Sequence, residues 1–570
     1  MNIDRRVLIA LTCGVVFFAG CNLAPPYHRP TTAASTAFKE TQTAEPTPGW
    51  KPAEPRDSEI GGSWWELFQD DELNQLETKV AASNQNVIAA EANFRAARAL
   101  VEEAEASLFP TLTLGPSATR SRSSASVAQI SGNNLGATTG TGTNTGTTTT
   151  PTTGATTQAG GGSTKPHTIY SFPLEASYQV DLWGSVRNNI AQNRFNAEAS
   201  AAQVGTAILS NQSQLAQDYF ELRVTDELRR VLAATLEDYR ASVHLVSTLV
   251  KNGIQSEEDL AQAEAQLHST EAQATDLGIA RAQYEHAIAV LIGVPPSQFS
   301  IPYKRTALSL PQIPVGVPSD LLERRPDIAT SERQVAASNA AIGIARAAFF
   351  PNLTLSGSAG YESTSLGKLF DWPNRFWSIG PSIAQTLFDG GARTAETEHA
   401  WALNDQAVAN YRQTVLSAFQ AVEDNLASLR ILTEEVGEQR AAAVAARRAV
   451  ELSVVRYHNG VDSYINVITA QNTFLSSRQA ELQIELRQLV ASVSLINNLG
   501  GGWAGSELSK VANGDKPLSD KDVAQKRDDA ADSGQPAAVA PANPPDVSHD
   551  IQPDEILKRD IESMTADPKH

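Results

Sequence analysis

The chain has 570 residues, 41% hydrophobic and 6% aromatic, with a formal net charge of −19 and a pI near 5.0. That charge argues against nucleic acid as a partner, and two cysteines, Cys13 and Cys21, cannot supply a disulfide framework. No uninterrupted apolar stretch of spanning length follows the first twenty residues, which excludes a helical membrane protein.

Arg5-Arg6, the apolar run 7–18 and the small pair Ala19-Gly20 form a secretion signal over residues 1–20. Phe18-Ala19-Gly20-Cys21 is similar to a bacterial lipobox, with Phe where Leu is usual. Cys21 is therefore expected to be the acylated first residue of the mature chain, and its lipid is the only non-protein group expected, with no cofactor or metal. Cys13 lies inside the apolar run. Asn22 in place of Asp points to the outer membrane. Residues 21–63, rich in Pro, Thr and Ala, read as a lipidated arm.

The body of the chain nearly repeats itself. Gly184, Gly253 and Gly293 recur as Gly391, Gly460 and Gly500, each 207 positions later. Ser-Leu-Phe-Pro at 107–110 returns as Ala-Phe-Phe-Pro at 348–351, offset by 241. The extra 34 residues mark an insertion in the first copy, where a Thr/Gly-rich tract occupies 131–165. Two repeats follow, 64–293 and 319–503, joined by a linker at 294–318. The tail, 504–570, lacks periodicity and is expected to be disordered.

Residues 185–250 and 392–458 contain no proline and favour helix. At about 1.5 Å per residue each would extend roughly 100 Å. Val408, Tyr411, Val415, Phe419, Val422, Leu426, Leu429, Leu432 and Val436 step by three or four, as do Leu228, Leu232, Leu236, Tyr239, Val243, Val246 and Val250. These are coiled-coil seams. Shorter helices at 71–107, 256–291, 319–349 and 464–498 supply partners, two end to end against each long one. The turns between long and short helices are Asn252-Gly253-Ile254-Gln255-Ser256 and Asn459-Gly460-Val461-Asp462-Ser463, with Gly suited to positive φ and Ser256 and Ser463 placed to cap.

Each repeat also carries a hairpin of dyad pattern, about 111–181 and 352–387. Ten-residue strands with one apolar and one polar face suit a membrane barrel, although a half-buried soluble hairpin has the same pattern. Four strands cannot close alone, and an open edge in lipid leaves backbone groups unsatisfied. The expected fold is thus an α+β membrane protein, a trimeric 12-stranded outer-membrane β-barrel with four strands per protomer. A long periplasmic α-helical coiled-coil barrel continues it.

Trp64-Trp65-Glu-Leu-Phe-Gln-Asp-Asp-Glu-Leu-Asn-Gln-Leu at 64–76, Leu-Leu-Glu-Arg-Arg-Pro-Asp-Ile at 321–328, Ala-Ala-Ile-Gly-Ile-Ala-Arg-Ala-Ala-Phe-Phe-Pro at 340–351 and Leu-Gly-Gly-Gly-Trp at 499–503 together resemble the TolC-like outer-membrane efflux channels, in their NodT or OprM lipoprotein branch. The resemblance implies the exit duct of a tripartite pump. Its partners would be two further copies of the chain, a periplasmic adaptor and an inner-membrane transporter of the RND type. The exit channel of a type I protein-secretion system is the alternative. It also implies that the tips, Asn252, Gly253, Ile254, Ser256, Asn459, Gly460, Val461 and Ser463, receive the adaptor.

The family's gate pairs an Arg-Tyr with two acids nine and twelve positions after the Tyr. Arg456 and Tyr457 match, whereas Asn466 and Thr469 stand where the acids belong. Asp462, or Glu257, Glu258 and Asp259 in the first repeat, are the candidates to supply carboxylates instead. Glu396-x-Glu398-His399 lacks the paired His or cysteines of a zinc site, and no catalytic constellation is present, so no enzymatic activity is expected.

Overall fold

Uninterrupted helix formers shape the molecule. The computed structural model describes residues 22–32, 38–40, 63–122, 166–304, 310–311, 313, 324–501 and 503, all within the unit Met1–Asn513. The expected signal at 1–20, Cys21, the insertion at 131–165 and the tail at 504–570 lie outside the described residues. The helices are α1 (Asp71–Ser83), α2 (Gln85–Ala106), α3 (Ser185–Lys251), α4 (Glu257–Leu291), α5 (Pro326–Ala347), α6 (Ala392–His458) and α7 (Tyr464–Asn498). The strands are β1 (Thr111–Leu114), β2 (Ser117–Ser121), β3 (His167–Val180), β4 (Asn352–Ser363) and β5 (Arg375–Ala384).

The two proline-free tracts are single helices of 67 residues each, about 100 Å long. Their seams are buried: Leu232, Tyr239 and Val246 on α3, and Tyr411, Val415, Val422 and Leu432 on α6. α3 packs against α2 and α4, and α6 against α5 and α7; α5 and α7 also reach α3, which joins the two groups. No helix among the described residues is long and apolar enough to cross a membrane.

The helix expected at 71–107 is two helices. Asn84 ends α1 and caps α2, its side chain accepting from the Asn86 and Val87 amides at 2.8 and 3.3 Å. Its extended backbone breaks the run that the Ala/Leu pattern disguises. The helix expected from 319 is assigned as α5 from Pro326, with Pro in the first turn where its missing N–H costs nothing. Trp64, Trp65 and Phe68 pack with Leu73, Leu76 and Val80 of α1 against Tyr219 and Phe220 of α3 and Leu489, Val493 and Ile496 of α7. This apolar waist explains why the Trp-Trp segment and α1 belong together.

The sheet is antiparallel in the order β1, β3, β4, β5, with β2 also on β3. It contains five strand segments rather than four. Thr111 faces Ser177 and Ser117 faces Ser171, so β1 and β2 keep one register along β3. Between them, Pro116 and Pro173 carry no N–H, and the ladder is interrupted where the Gly115 amide donates to the Pro173 carbonyl at 3.2 Å. β4 and β5 both fall within the hairpin expected at 352–387.

Candidate functional site

The two tips are built alike from backbone upward. At the first, Gly253 has φ +71°, the Gly253 and Ile254 amides donate to the Val250 and Leu249 carbonyls at 2.9 Å each, and the Asn252 side chain donates to the Thr248 carbonyl at 2.8 Å. At the second, Gly460 has φ +67°, Gly460 and Val461 donate to Tyr457 and Arg456 at 2.9 and 3.0 Å, and Asn459 donates to Val455 at 2.9 Å. The left-handed glycine lets the chain reverse while the last carbonyls stay bonded. Ile254 and Val461 are left 66% and 67% exposed at the two apices, a pair of apolar knobs facing solvent.

The tips differ in how the following helix is capped. Ser256 accepts from the Asp259 amide at 3.2 Å and donates to the Asp259 carboxylate at 3.1 Å. Ser463 makes no side-chain cap, contrary to expectation. Asp462 takes over: it accepts from the Ser463 amide at 3.0 Å and from the Asn466 side chain, and pairs with Arg456, Nε to Oδ2, at 3.2 Å. These contacts, the Asn466 amide foremost, hold its carboxyl below the usual range.

Of the remaining expected gate residues, Tyr457 is buried, its ring 5.2 Å from that of Tyr464 and packed with Val246 of α3 and Ala263 of α4. Its hydroxyl has no hydrogen-bond partner among the described residues. Burial, then the Asp259 charge, raises its pKa. Thr469 spends its hydroxyl on the Ile465 carbonyl of its own helix at 2.8 Å. Thus Arg456, Asp462 and Asn466 form one cluster, Tyr457 and Asp259 belong to the packing behind it, and Thr469 stands apart.

Gln266 of α4 and Asn472 of α7 exchange amide hydrogen bonds at 2.7 and 3.1 Å, a reciprocal link between the two hairpins. Lone amides on exposed helix faces gave no signal of it.

At the other end, the sheet has two unlike faces. Leu112, Leu114, Leu174, Leu355, Trp377, Ile379 and Ile383 share one face and are all exposed, Ile379 at 81%. The registers place Thr113, Glu175, Ser358 and Ser378 in one row of the opposite face, with Ser177 and Ser356 beside it. An apolar face opposite a hydroxyl-rich one matches the pattern of a wall between lipid and water.

A family model described as "Outer membrane efflux protein" matches residues 77–294 and 317–501. The "Probable efflux pump outer membrane protein TtgC" of Pseudomonas putida KT2440 is 29% identical over 503 residues, covering 87% of this chain and 96% of that protein. The "Cation efflux system protein CusC" of Escherichia coli is 26% identical over 495 residues, covering 86% of this chain and 98% of its own. The solved outer-membrane channel OprN has 28% identity and a TM-score of 0.72, over 85% of this chain and all of that one.

Proposed function

The chain belongs to the outer membrane efflux protein family, is an exit duct of an efflux system at the outer membrane and is not an enzyme; we propose that it works as a homotrimer that pools its strands into one twelve-stranded barrel. The observation that carries this is the sheet itself. β1 with β2 at one side and β5 at the other have no second strand partner on their outer edges among the described residues, and an open edge in lipid costs several kcal/mol per unmet backbone group. Further copies remove both edges.

The helices support the same assembly through a repeated unit. The Ser83 carbonyl sits 2.3 Å from where a Cβ on Gly293 would be, and the Arg324 carbonyl sits at the same distance from Gly500. Asn84 donates to the Leu291 carbonyl at 2.8 Å, and Arg325 donates to Asn498 at 2.8 Å. These pairs obey the same offsets, 241 and 207, found in the sequence. Within the chain, α5 lies on α3, with Arg333 ion-paired to Glu198 at 3.0 Å and Ala202 buried, and further along α3 Leu209 is buried against Gly501. The matching positions on α6, Asp405, Ala409 and Leu416, are exposed, as are Ala89, Ala92, Ala96 and Ala99 on α2. One copy's α2 seated on another's α6 would repeat the α5–α3 contact.

The arm supports a lipid on Cys21. Arg346 donates to the Leu23 carbonyl at 3.4 Å and Asn339 to the Pro25 carbonyl at 2.9 Å, while Ala24 occupies the space a side chain at Gly343 would need. Residue 23 is therefore held at the α5 end that leads into β4, beside the membrane wall. The tips then point into the periplasm, where the knobs Ile254 and Val461 suit a periplasmic adaptor delivering small molecules from an RND-type transporter.

Light scattering of the detergent-solubilised protein tests the reading. A mass of three chains, with conducting pores in planar bilayers, is expected. A conducting monomer would overturn it.

A further inference from the structure

The loop between β4 and β5 folds back onto the outside of the wall. Phe370 packs edge-on against Phe172 and Tyr361, centroids 5.6 and 5.5 Å apart, and Leu369 is buried. Phe172, Tyr361 and Arg375 occupy one cross-strand row on the apolar face. The loop neck is closed by Asn374, whose side chain donates to the Lys368 carbonyl at 2.5 Å and whose amide donates to Asp371 at 2.9 Å. Lys368 and Arg375 thus belong to one loop neck, at the end of the sheet remote from the helices. The Arg375 guanidinium lies 3.5 Å above the Trp372 ring, and Trp372 is 69% exposed.

Neither cation has a carboxylate partner among the described residues, and Asp371, the acid of the same loop, pairs with neither. On the helices the habit is the reverse: Arg230, Arg240, Arg440 and Arg448 all pair with glutamates. In a chain of net charge −19, two unneutralised cations at one loop neck, Arg375 resting on the Trp372 ring, form a local positive site. A guanidinium stacked on an indole keeps its N–H edge free for bidentate bonding to phosphate, while exposed Trp372 and Phe370 suit the boundary between acyl chains and headgroups.

We propose that Lys368, Trp372 and Arg375 bind the phosphate of an anionic glycolipid in the outer leaflet, with the aromatic rings against its acyl chains. The proposal rests on the barrel reading, which puts this end of the sheet at the outer surface. It says where outer-leaflet lipid is held on the channel wall.

The test uses the full-length protein, first inserted into vesicles of phosphatidylethanolamine and phosphatidylglycerol, then titrated in detergent with diphosphoryl lipid A and followed by native mass spectrometry. The K368Q/R375Q variant should bind about tenfold more weakly, as loss of charge-assisted bonds implies. W372A, which keeps both charges, should also weaken binding, and millimolar inorganic phosphate should not displace the lipid. Wild-type protein that fails to enter vesicles would overturn the barrel reading and this proposal with it. Protein that inserts but binds diphosphoryl lipid A no more tightly than K368Q/R375Q overturns the proposal alone. Displacement by inorganic phosphate would make the site one for free phosphate and overturn the glycolipid assignment.

Discussion

The Arg456 guanidinium and the Asp462 carboxylate meet across the Gly460 turn, Nε to Oδ2 at 3.2 Å, so the last turn of a long helix is tied to the first residues of its return. Both groups face solvent, and an exposed pair adds little to stability. Its consequence is positional: it fixes where the tip apex sits. Arg456→Ser and Asp462→Asn should each raise single-channel conductance, and the double variant should do no more than the larger single one. Additive increases would mean that the two act on separate partners.

Asp462 already accepts from Ser463, Asn466 and Arg456, and neutral Asn466 and Thr469 occupy the positions where the resemblance to TolC-like channels implies acids. A ring of carboxylates is what makes an aperture bind cations. Block of the wild-type pore by divalent or trivalent cations is therefore expected to be weak. Asn466→Asp with Thr469→Asp should strengthen it. Strong block in the wild type, removed by Asp462→Asn, would show that this carboxylate is free in the assembled pore.

Tyr457 contributes its ring rather than its hydroxyl. The ring packs with Val246, Ala263 and Tyr464, whereas the buried hydroxyl has no partner among the described residues. Tyr457→Phe should leave thermal stability unchanged or raise it by up to about 1 kcal/mol, since it removes an unsatisfied polar group. Tyr457→Ala should cost about 3–5 kcal/mol. A clear loss of stability in Tyr457→Phe would reveal a bond the hydroxyl makes only in the trimer.

The long helices were legible in the sequence because a seam of period 3.5 without proline has one physical solution, and both tracts are single helices. The turns were legible because Gly253 and Gly460 need positive φ. Boundaries set by side chains were harder to read. Asn84 caps α2 inside a run whose Ala/Leu pattern continues through it, and the β1–β2 break depends on two prolines one register step apart on facing strands. The Asp462–Asn466–Arg456 cluster and the Arg375–Trp372 stack depend on rotamers at loop necks, which residue spacing does not specify.

Asp218 makes stability depend on pH. It is 7% exposed on α3, and burial lifts its pKa to about 6 despite the Gln214 amide at 2.9 Å. A carboxyl whose folded pKa is raised is stabilised in its protonated form. Its contribution is complete below the unfolded pKa near 4 and is lost as pH rises to about 6, on the order of 1–3 kcal/mol. Asp218→Asn should therefore raise the melting temperature at pH 7.5 and have little effect at pH 4. An equal effect at both pH values would exclude the titration as its cause.

The proposed α2–α6 contact between copies yields a test independent of the sheet. On α3, Ala202 is buried at 0% exposure and Leu209 at 7%, the latter against Gly501 and the Trp64 cluster, while on α6 the matching Leu416 is 54% exposed. On α2, Ala96 and Ala99 hold the places that Ala337 and Ala340 hold on α5, where both are buried. Small residues allow close helix approach, and a carboxylate forced into such a contact would be buried without a partner. Ala96→Glu and Leu416→Glu should each leave the helical content of one chain intact, because both positions face solvent in the single chain. Each should nevertheless lower the trimer fraction in detergent, and the two together should abolish it. Light scattering reads the mass, and circular dichroism shows whether the chain itself is still folded. A full trimer in the double variant, with unchanged helicity, would mean that α2 and α6 do not form the contact between copies.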